Sequence, residues 1–191
     1  MTAVAPAQTN LYWNTSGPAA SWTSSNWSAS GPAPFATAWS PGASAHFTSA
    51  SRVTFATTTI GDVVVDPGVA VTVTAGGTVS TGGVVRTIEV GSEGSLTWTN
   101  QAVSNNSATG FIKTGAGTWS IGAQPNAYSG GFALAEGTVV VTGGRSLGTG
   151  KVTLYTRGKA FVGTWKRADR LSTFTLANAD GTPMLDRKST R

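Results

Sequence analysis

Apolar and polar residues alternate almost one for one along much of this chain, in short runs broken by glycine. From Arg52 onward the runs are RVTFATTT, DVVVD, VAVTVTAGG, RTIEVGSEG, SLTWTN, GTWSIG, GFALAEG, GTVVVTGG and GKVTLYT. Each offers a stretch of about 4–7 residues in which every second side chain is apolar, the signature of a strand with one buried face. No stretch carries apolar residues at i, i+3 and i+4 over three turns, and nothing has the length of helix that a βαβ crossover needs. The pattern predicts an all-β protein.

The glycines suggest how these strands are arranged. A Gly, then Ser, Thr or Lys, then apolar-x-apolar recurs as GSLTW at Gly94, GTWSI at Gly117, GTVVV at Gly137 and GKVTL at Gly150. The first two steps are close to a period of roughly 20 residues, which in an all-β chain fits the coils of a solenoid. Each strand would pair with its equivalent one coil away, with Gly taking the corners. The last step, from Gly137 to Gly150, is shorter and departs from that period. A β-sandwich, whose strands recur every 8–12 residues or so, stays open as the alternative.

Composition narrows the function classes. The chain has 191 residues, enough for one domain with a core, with 25 Gly and only 11% charged residues. Mean hydropathy is near zero, too apolar for a simple disordered chain. With no Cys there is no disulfide, thiol nucleophile or Cys-type zinc site. No apolar run reaches the roughly 18 residues of a membrane-spanning helix. The opening MTAVAPAQTN lacks the basic and apolar regions of an intact signal peptide; its AVA and APA have the small-x-small form of a cleavage site, as in a mature N-terminus behind an added Met. The net charge of +5 is uneven: residues 1–150 carry four basic and five acidic groups, and residues 151–191 carry nine basic and three acidic groups. A basic end is ordinarily a solvated surface, though it can also meet an anionic polymer, here through Lys166, Arg167 and Arg170.

Candidate chemistry is sparse. His46 is the only His and has no second His or Cys with which to build a triad or a zinc site. Asp62 and Asp66 flank VVV and fall on one strand face about 13 Å apart, too far for paired glycosidase carboxylates. Glu89 and Glu93 sit at a strand end and a turn. The glycines of GAG and SGG lack the Lys-Ser/Thr and the helix of a phosphate loop. Trp13, Trp22 and Trp27 could stack on sugar rings or cover the open first coil, and the unpaired edge of a solenoid end favours covering. No catalytic, cofactor or metal site is expected, and no nucleic acid partner.

One stretch carries a family resemblance. From Lys113 to Leu154 the chain reads Lys113, Gly115, Gly117, Thr118, Trp119 and Ile121, then Asn126, Tyr128, Ser129, Gly130 and Gly131, then Gly137, Thr138, Val139, Val141, Leu147, Gly148, Gly150, Val152, Thr153 and Leu154. This dense, collinear run resembles the autotransporter-associated β-strand repeat, also called the passenger-associated transport repeat. It departs at Ala127 and Phe132, where the family usually has Thr. Upstream, YWNTSGPAASWTSSNWS and SPGASAHF are similar to the Trp-rich opening of proteins that carry this repeat. The resemblance implies a right-handed parallel β-helix, exported as a surface or secreted passenger of a Gram-negative bacterium. The parent chain would continue into an outer-membrane β-barrel that is not present here.

The organisation expected is a Trp/Ser/Pro-rich cap over 1–51, β-helix coils over 52–154 with the one clear repeat at 113–154, and a basic β hairpin or tail over 155–191. From Gly158 the tail is similar to the last strands of a secreted or lipoprotein family ending in G-T-W-x-[KR], and it reads as a hairpin turning at Asp180-Gly181. The expected function is a structural or adhesive passenger segment at the cell surface. A carbohydrate-binding or carbohydrate-active β-helix is the alternative, with a host or matrix glycan as its partner. Self-association through the solenoid ends is expected if they are uncovered.

Overall fold

A computed structural model describes residues 9–13, 19–31, 33–74, 76–99, 102–104, 108–122, 126, 128–141, 146–156, 159–164 and 172–176. In chain order come β1 (Asn10–Trp13), β2 (Ala20–Ser21) and β3 (Trp27–Ser28); then β4 (Ser44–Phe47), β5 (Ser51–Thr54) and β6 (Thr58–Thr59); then β7 (Val63–Val65), β8 (Ala70–Thr74) and β9 (Thr78–Ser80). They are followed by β10 (Val85–Val90), β11 (Ser95–Thr99) and β12 (Ala102–Val103), β13 (Gly110–Thr114) with β14 (Thr118–Ile121), and β15 (Phe132–Leu134) with β16 (Gly137–Val141). The last are β17 (Lys151–Thr156), β18 (Lys159–Thr164) and β19 (Ser172–Leu176).

Strands β1, β4, β7, β10, β13, β15 and β17 stack in parallel as a first sheet. Strands β2, β5, β8, β11, β14 and β16 stack in parallel as a second, and β6, β9 and β12 as a third. Each coil therefore contributes one rung to each of the first two sheets, and the chain is a parallel β-helix. The sandwich alternative is excluded, because neighbouring rungs are a full coil apart. Val71 lies opposite Leu96, Leu96 opposite Trp119, and Trp119 opposite Val139.

The short step at Gly150 also has its explanation. GTVVV is β16 of the second sheet, whereas KVTL begins β17 of the first. The true predecessor of β17 is β15, with Phe132 opposite Val152, one full coil on. The glycine motif occurs on both faces of a coil, so counting it mixes steps within a coil with steps between coils.

Because stacked strands are parallel and in register, each inward position becomes a column. One column of the second sheet is Ser51, Val71, Leu96, Trp119 and Val139, and its neighbour is Val53, Val73, Trp98, Ile121 and Val141. All of these are buried. In the first sheet Leu11, Ala45, Val63, Ile88, Lys113, Leu134 and Leu154 form one column, apolar except for Lys113. Indole rings fill the middle: Trp98 meets Trp119 edge to face at 5.1 Å, and both meet Phe111. The Nε1 groups of Trp13, Trp22, Trp98 and Trp119 have no hydrogen-bond partner among the described residues. Burying such a ring removes about 150–250 Å² from water, worth about 4–6 kcal/mol, which outweighs the roughly 1–3 kcal/mol of an unmet donor.

Both ends carry antiparallel strands. At the N-terminal end β3 lies antiparallel on β1, with Trp13 opposite Trp27. At the other end β18 lies antiparallel on β17, and β19 on β16. β18 and β19 join different sheets, and the strand that pairs with β18 is β17. The hairpin turn expected at Asp180-Gly181 lies outside the described residues. The stack also begins earlier than residue 52, since β1 already pairs in parallel with β4. The Trp-rich segment both supplies the first coil and covers it.

Candidate functional site: the repeat corner and the outer faces

The signature residues of the 113–154 stretch converge on the corners between coils. Lys113 occupies an inward position of β13 and is fully buried. Its Nζ turns to the corner and donates to the carbonyls of Thr114 (2.6 Å), Gly115 (2.5 Å) and Glu136 (3.2 Å). Three donors meet three acceptors, one of them on the next coil. Burial lowers its pKa to about 8, opposed by the carboxylates of Glu136 and Glu89. The ammonium form still predominates at neutral pH, held by its three carbonyls.

The glycines around Lys113 are there because nothing larger fits. Gly137 has φ +77°, and a Cβ there would lie 2.3 Å from the Gly115 carbonyl oxygen, 2.6 Å from that of Gly117 and 2.9 Å from Lys113 Nζ. Gly115 and Gly117 press in the same way on the carbonyls of Val90 and Gly91, one coil earlier. Thr118 follows them onto the ladder, its N–H bonding the Gly94 carbonyl at 3.0 Å.

A second corner is polar. The side-chain oxygen of Asn126 accepts from Val103 N–H (2.9 Å), and its amide donates to the Ser146 carbonyl (3.1 Å). The side chain thus continues the third sheet beyond β12, where a strand rung would otherwise stand. Ser146 Oγ donates to the Gly122 carbonyl at 2.7 Å. Tyr128 is buried edge-on against Phe111 at 5.5 Å, and burial raises its pKa above the ordinary tyrosine value. A Cβ at Gly148 would lie 2.7 Å from two carbons of that ring, and its neighbour Leu147 is buried. Ser129, Gly130 and Gly131 turn the chain; Gly130 lies against the Thr109 carbonyl and Gly131 has φ +97°.

Of the two readings of the N-terminal indoles, burial agrees with the favoured one, a cover over the first coil, and leaves no exposed ring for the sugar-platform alternative. Trp13, Trp22 and Trp27 are each 0% exposed. Trp22 stacks on Phe55 at 4.4 Å, and Trp27 Nε1 donates to the Trp22 carbonyl at 2.7 Å. A ring with both faces packed has none to offer a sugar. Inward or outward is a matter of parity within a strand: Trp13 points in, whereas Tyr12 beside it points out to meet His46 at 4.8 Å.

The remaining candidates stand apart from one another. His46 is half-buried on the outer face of β4, and burial lowers its pKa against the opposing pull of Asp66 and Glu89. Asp62 Oδ1 accepts from Thr87 N–H at 2.8 Å, so its carboxylate extends the ladder at a strand end. Glu89 is exposed on β10, and Glu93 occupies a turn with φ 60°. Among the described residues no group of three His, Cys, Asp or Glu could hold a metal ion. Lys166, Arg167 and Arg170 lie outside the described residues.

Sequence reasoning missed the outer face of the second sheet. One outward column there is Arg52, Thr72, Thr97, Ser120 and Val140; beside it run Ala70, Ser95, Thr118 and Thr138 on one flank and Ser21, Thr54 and Thr74 on the other. The signal was Thr72-x-Thr74 followed one coil later by Thr97-x-Thr99. No family model, curated protein or solved structure matches the chain.

Proposed function

We propose that this chain is a structural segment of an exported surface protein, a passenger-type β-helix whose repeat at 113–154 locks successive coils together as the chain folds. The observation that carries this reading is the Lys113 corner. The ammonium, Gly115, Gly117 and Gly137 engage one another and the backbones of neighbouring coils. Asn126, Tyr128 and Gly148 do the same at the second corner. Residues engaged in this way favour coil-on-coil addition and leave no side chain for chemistry. The reading places the chain outside the cell, joined in its parent to an outer-membrane β-barrel, with no enzymatic activity of its own.

Display tests it. Fused ahead of a β-barrel translocator in a Gram-negative host, the chain should reach the surface in a protease-resistant form, and Gly137→Ala should lower the surface yield. Equal display of the two, or failure of the parent sequence to be displayed at all, would count against the proposal. Purified protein should turn over neither polysaccharides nor esters; hydrolysis abolished by Asp62→Asn or Asp66→Asn would overturn the non-catalytic reading.

A further inference from the structure

We propose that the outer face of the second sheet binds ice. The inference rests on the geometry of that sheet alone and is independent of export.

Parallel rungs repeat about every 4.8 Å, and alternate residues of a strand stand about 6.7 Å apart, so the outward side chains form a two-dimensional grid. On β5, β8, β11 and β14 that grid is mostly hydroxyl: Thr54, Thr72, Thr74, Ser95, Thr97 and Thr118 are all partly exposed or exposed. Thr is β-branched and stiff at χ1, which holds hydroxyl and methyl in fixed places. Thr54 and Thr74 are tied further by a hydrogen bond between their hydroxyls at 3.3 Å, and Thr74 Oγ1 also reaches the Val53 carbonyl at 3.4 Å. The result is a rigid array that repeats in two directions.

The first sheet is an internal comparison. Its matching outward column is Tyr12, His46, Val64, Glu89 and Thr114, with no repeated chemistry. β-propensity alone would favour Thr on both faces, so it does not account for the difference.

Charge, shape and area select the occupant. Arg52, at one end, is the only charged residue in the three columns, so an anionic polymer or lipid surface finds little to hold. The columns contain no Trp, Tyr or Phe, the anchors of a stable protein interface and the platforms for a sugar ring. The three columns, at most five rungs long, span about 19 by 13 Å, or about 250 Å², about a third of what each partner of a stable dimer buries. What such a face matches is a partner that is uncharged, flat and periodic at the same spacings. The two spacings are close to the oxygen repeats on a prism face of ice, and each hydroxyl–methyl pair can fix a water without the tight hydration shell of a charge.

The test uses the full purified chain. It should partition into a slowly growing ice hemisphere and inhibit ice recrystallisation. Thr97→Tyr, at the centre of the grid, should weaken inhibition by about tenfold or more, a difference of about 1.4 kcal/mol or more. Thr114→Tyr on the first sheet should leave it unchanged, and circular dichroism should be the same for all three proteins. Thr72→Lys provides a second probe if Thr97→Tyr does not fold. Exclusion of the unaltered chain from ice overturns the proposal, as does equal loss from the substitutions on the two sheets. Retention on crystalline chitin or cellulose without entry into ice also overturns it, and assigns the grid to a polysaccharide lattice.

Discussion

Replacing Gly137 by Ala isolates the packing of one coil on the next. Gly137 and Gly68 have nearly the same backbone conformation, φ +77° and +72°, but a Cβ at Gly68 would meet nothing within 4 Å. Gly68→Ala therefore carries only the left-handed backbone penalty, about 1–2 kcal/mol. At Gly137 the new methyl lands 2.3 and 2.6 Å from two carbonyl oxygens and 2.9 Å from Lys113 Nζ. Overpacking against backbone that cannot retreat adds about 1–3 kcal/mol, and displacing the ammonium weakens charge-assisted hydrogen bonds worth about 1.5–3 kcal/mol each. The expected total is about 4 kcal/mol, at least about 2 kcal/mol beyond Gly68→Ala. In a chain of this length that corresponds to melting temperatures lowered by about 10 °C and about 3–4 °C. Calorimetry together with urea titration reads both. Equal losses for the two variants would refute the idea that the repeat glycines exist for coil-to-coil contact.

Further predictions concern the core, the ends and pH. Val141 is 0% exposed and stacks on Ile121, so Val141→Asp should destabilise by at least about 3 kcal/mol, and a urea-derived loss under about 1 kcal/mol would put that column in solvent. Removing 155–191 takes away β18, β19 and the last two residues of β17, and leaves the edges of β16 and the rest of β17 bare; sedimentation velocity should then show concentration-dependent association of 1–154, whereas a folded monomer would mean that these strands do not shield the end. Burial raises the Tyr128 pKa, so above about pH 10 the unfolded chain ionises while the folded one stays protonated. Stability should fall there by up to about 1.4 kcal/mol per pH unit, and Tyr128→Phe should flatten that limb of the curve. Lys113 has the opposite sign: its folded-state pKa of about 8 lies below the ordinary 10.5, so the folded chain releases its proton first and stability should rise between those values, a rise absent from Lys113→Met melts.

Much of the fold was legible because strand alternation and corner glycines are local features. GTWSI and GTVVV, read as equivalent strands one coil apart, are β14 and β16 in register, with Trp119 on Val139 and Ile121 on Val141 all facing inward. What the sequence left hidden depended on which strand pairs with which. GKVTL looks like a fourth member of the series that begins at GSLTW and belongs to the other sheet. Trp13 and Tyr12 are adjacent, and only the register of β1 on β4 says which of them faces out. That Lys113 points inward shows only in its column, between Ile88 and Leu134. The role of Asn126 is equally invisible, since its partners Val103 and Ser146 each lie a whole coil away along the chain.

The stacking of rungs also sets how the molecule responds to a pull. Hydrogen bonds between coils run along the helix axis, so tension applied between its two ends opens one coil's bonds at a time while the coils beyond remain intact. Each coil releases about 70–85 Å of chain when it lets go, at about 3.3–3.6 Å per residue. Under load the β-helix is a spool, lengthening in regular steps at modest force. The Lys113 ammonium, clasping carbonyls on two adjacent coils, is the catch that makes one of those steps stiffer than its neighbours.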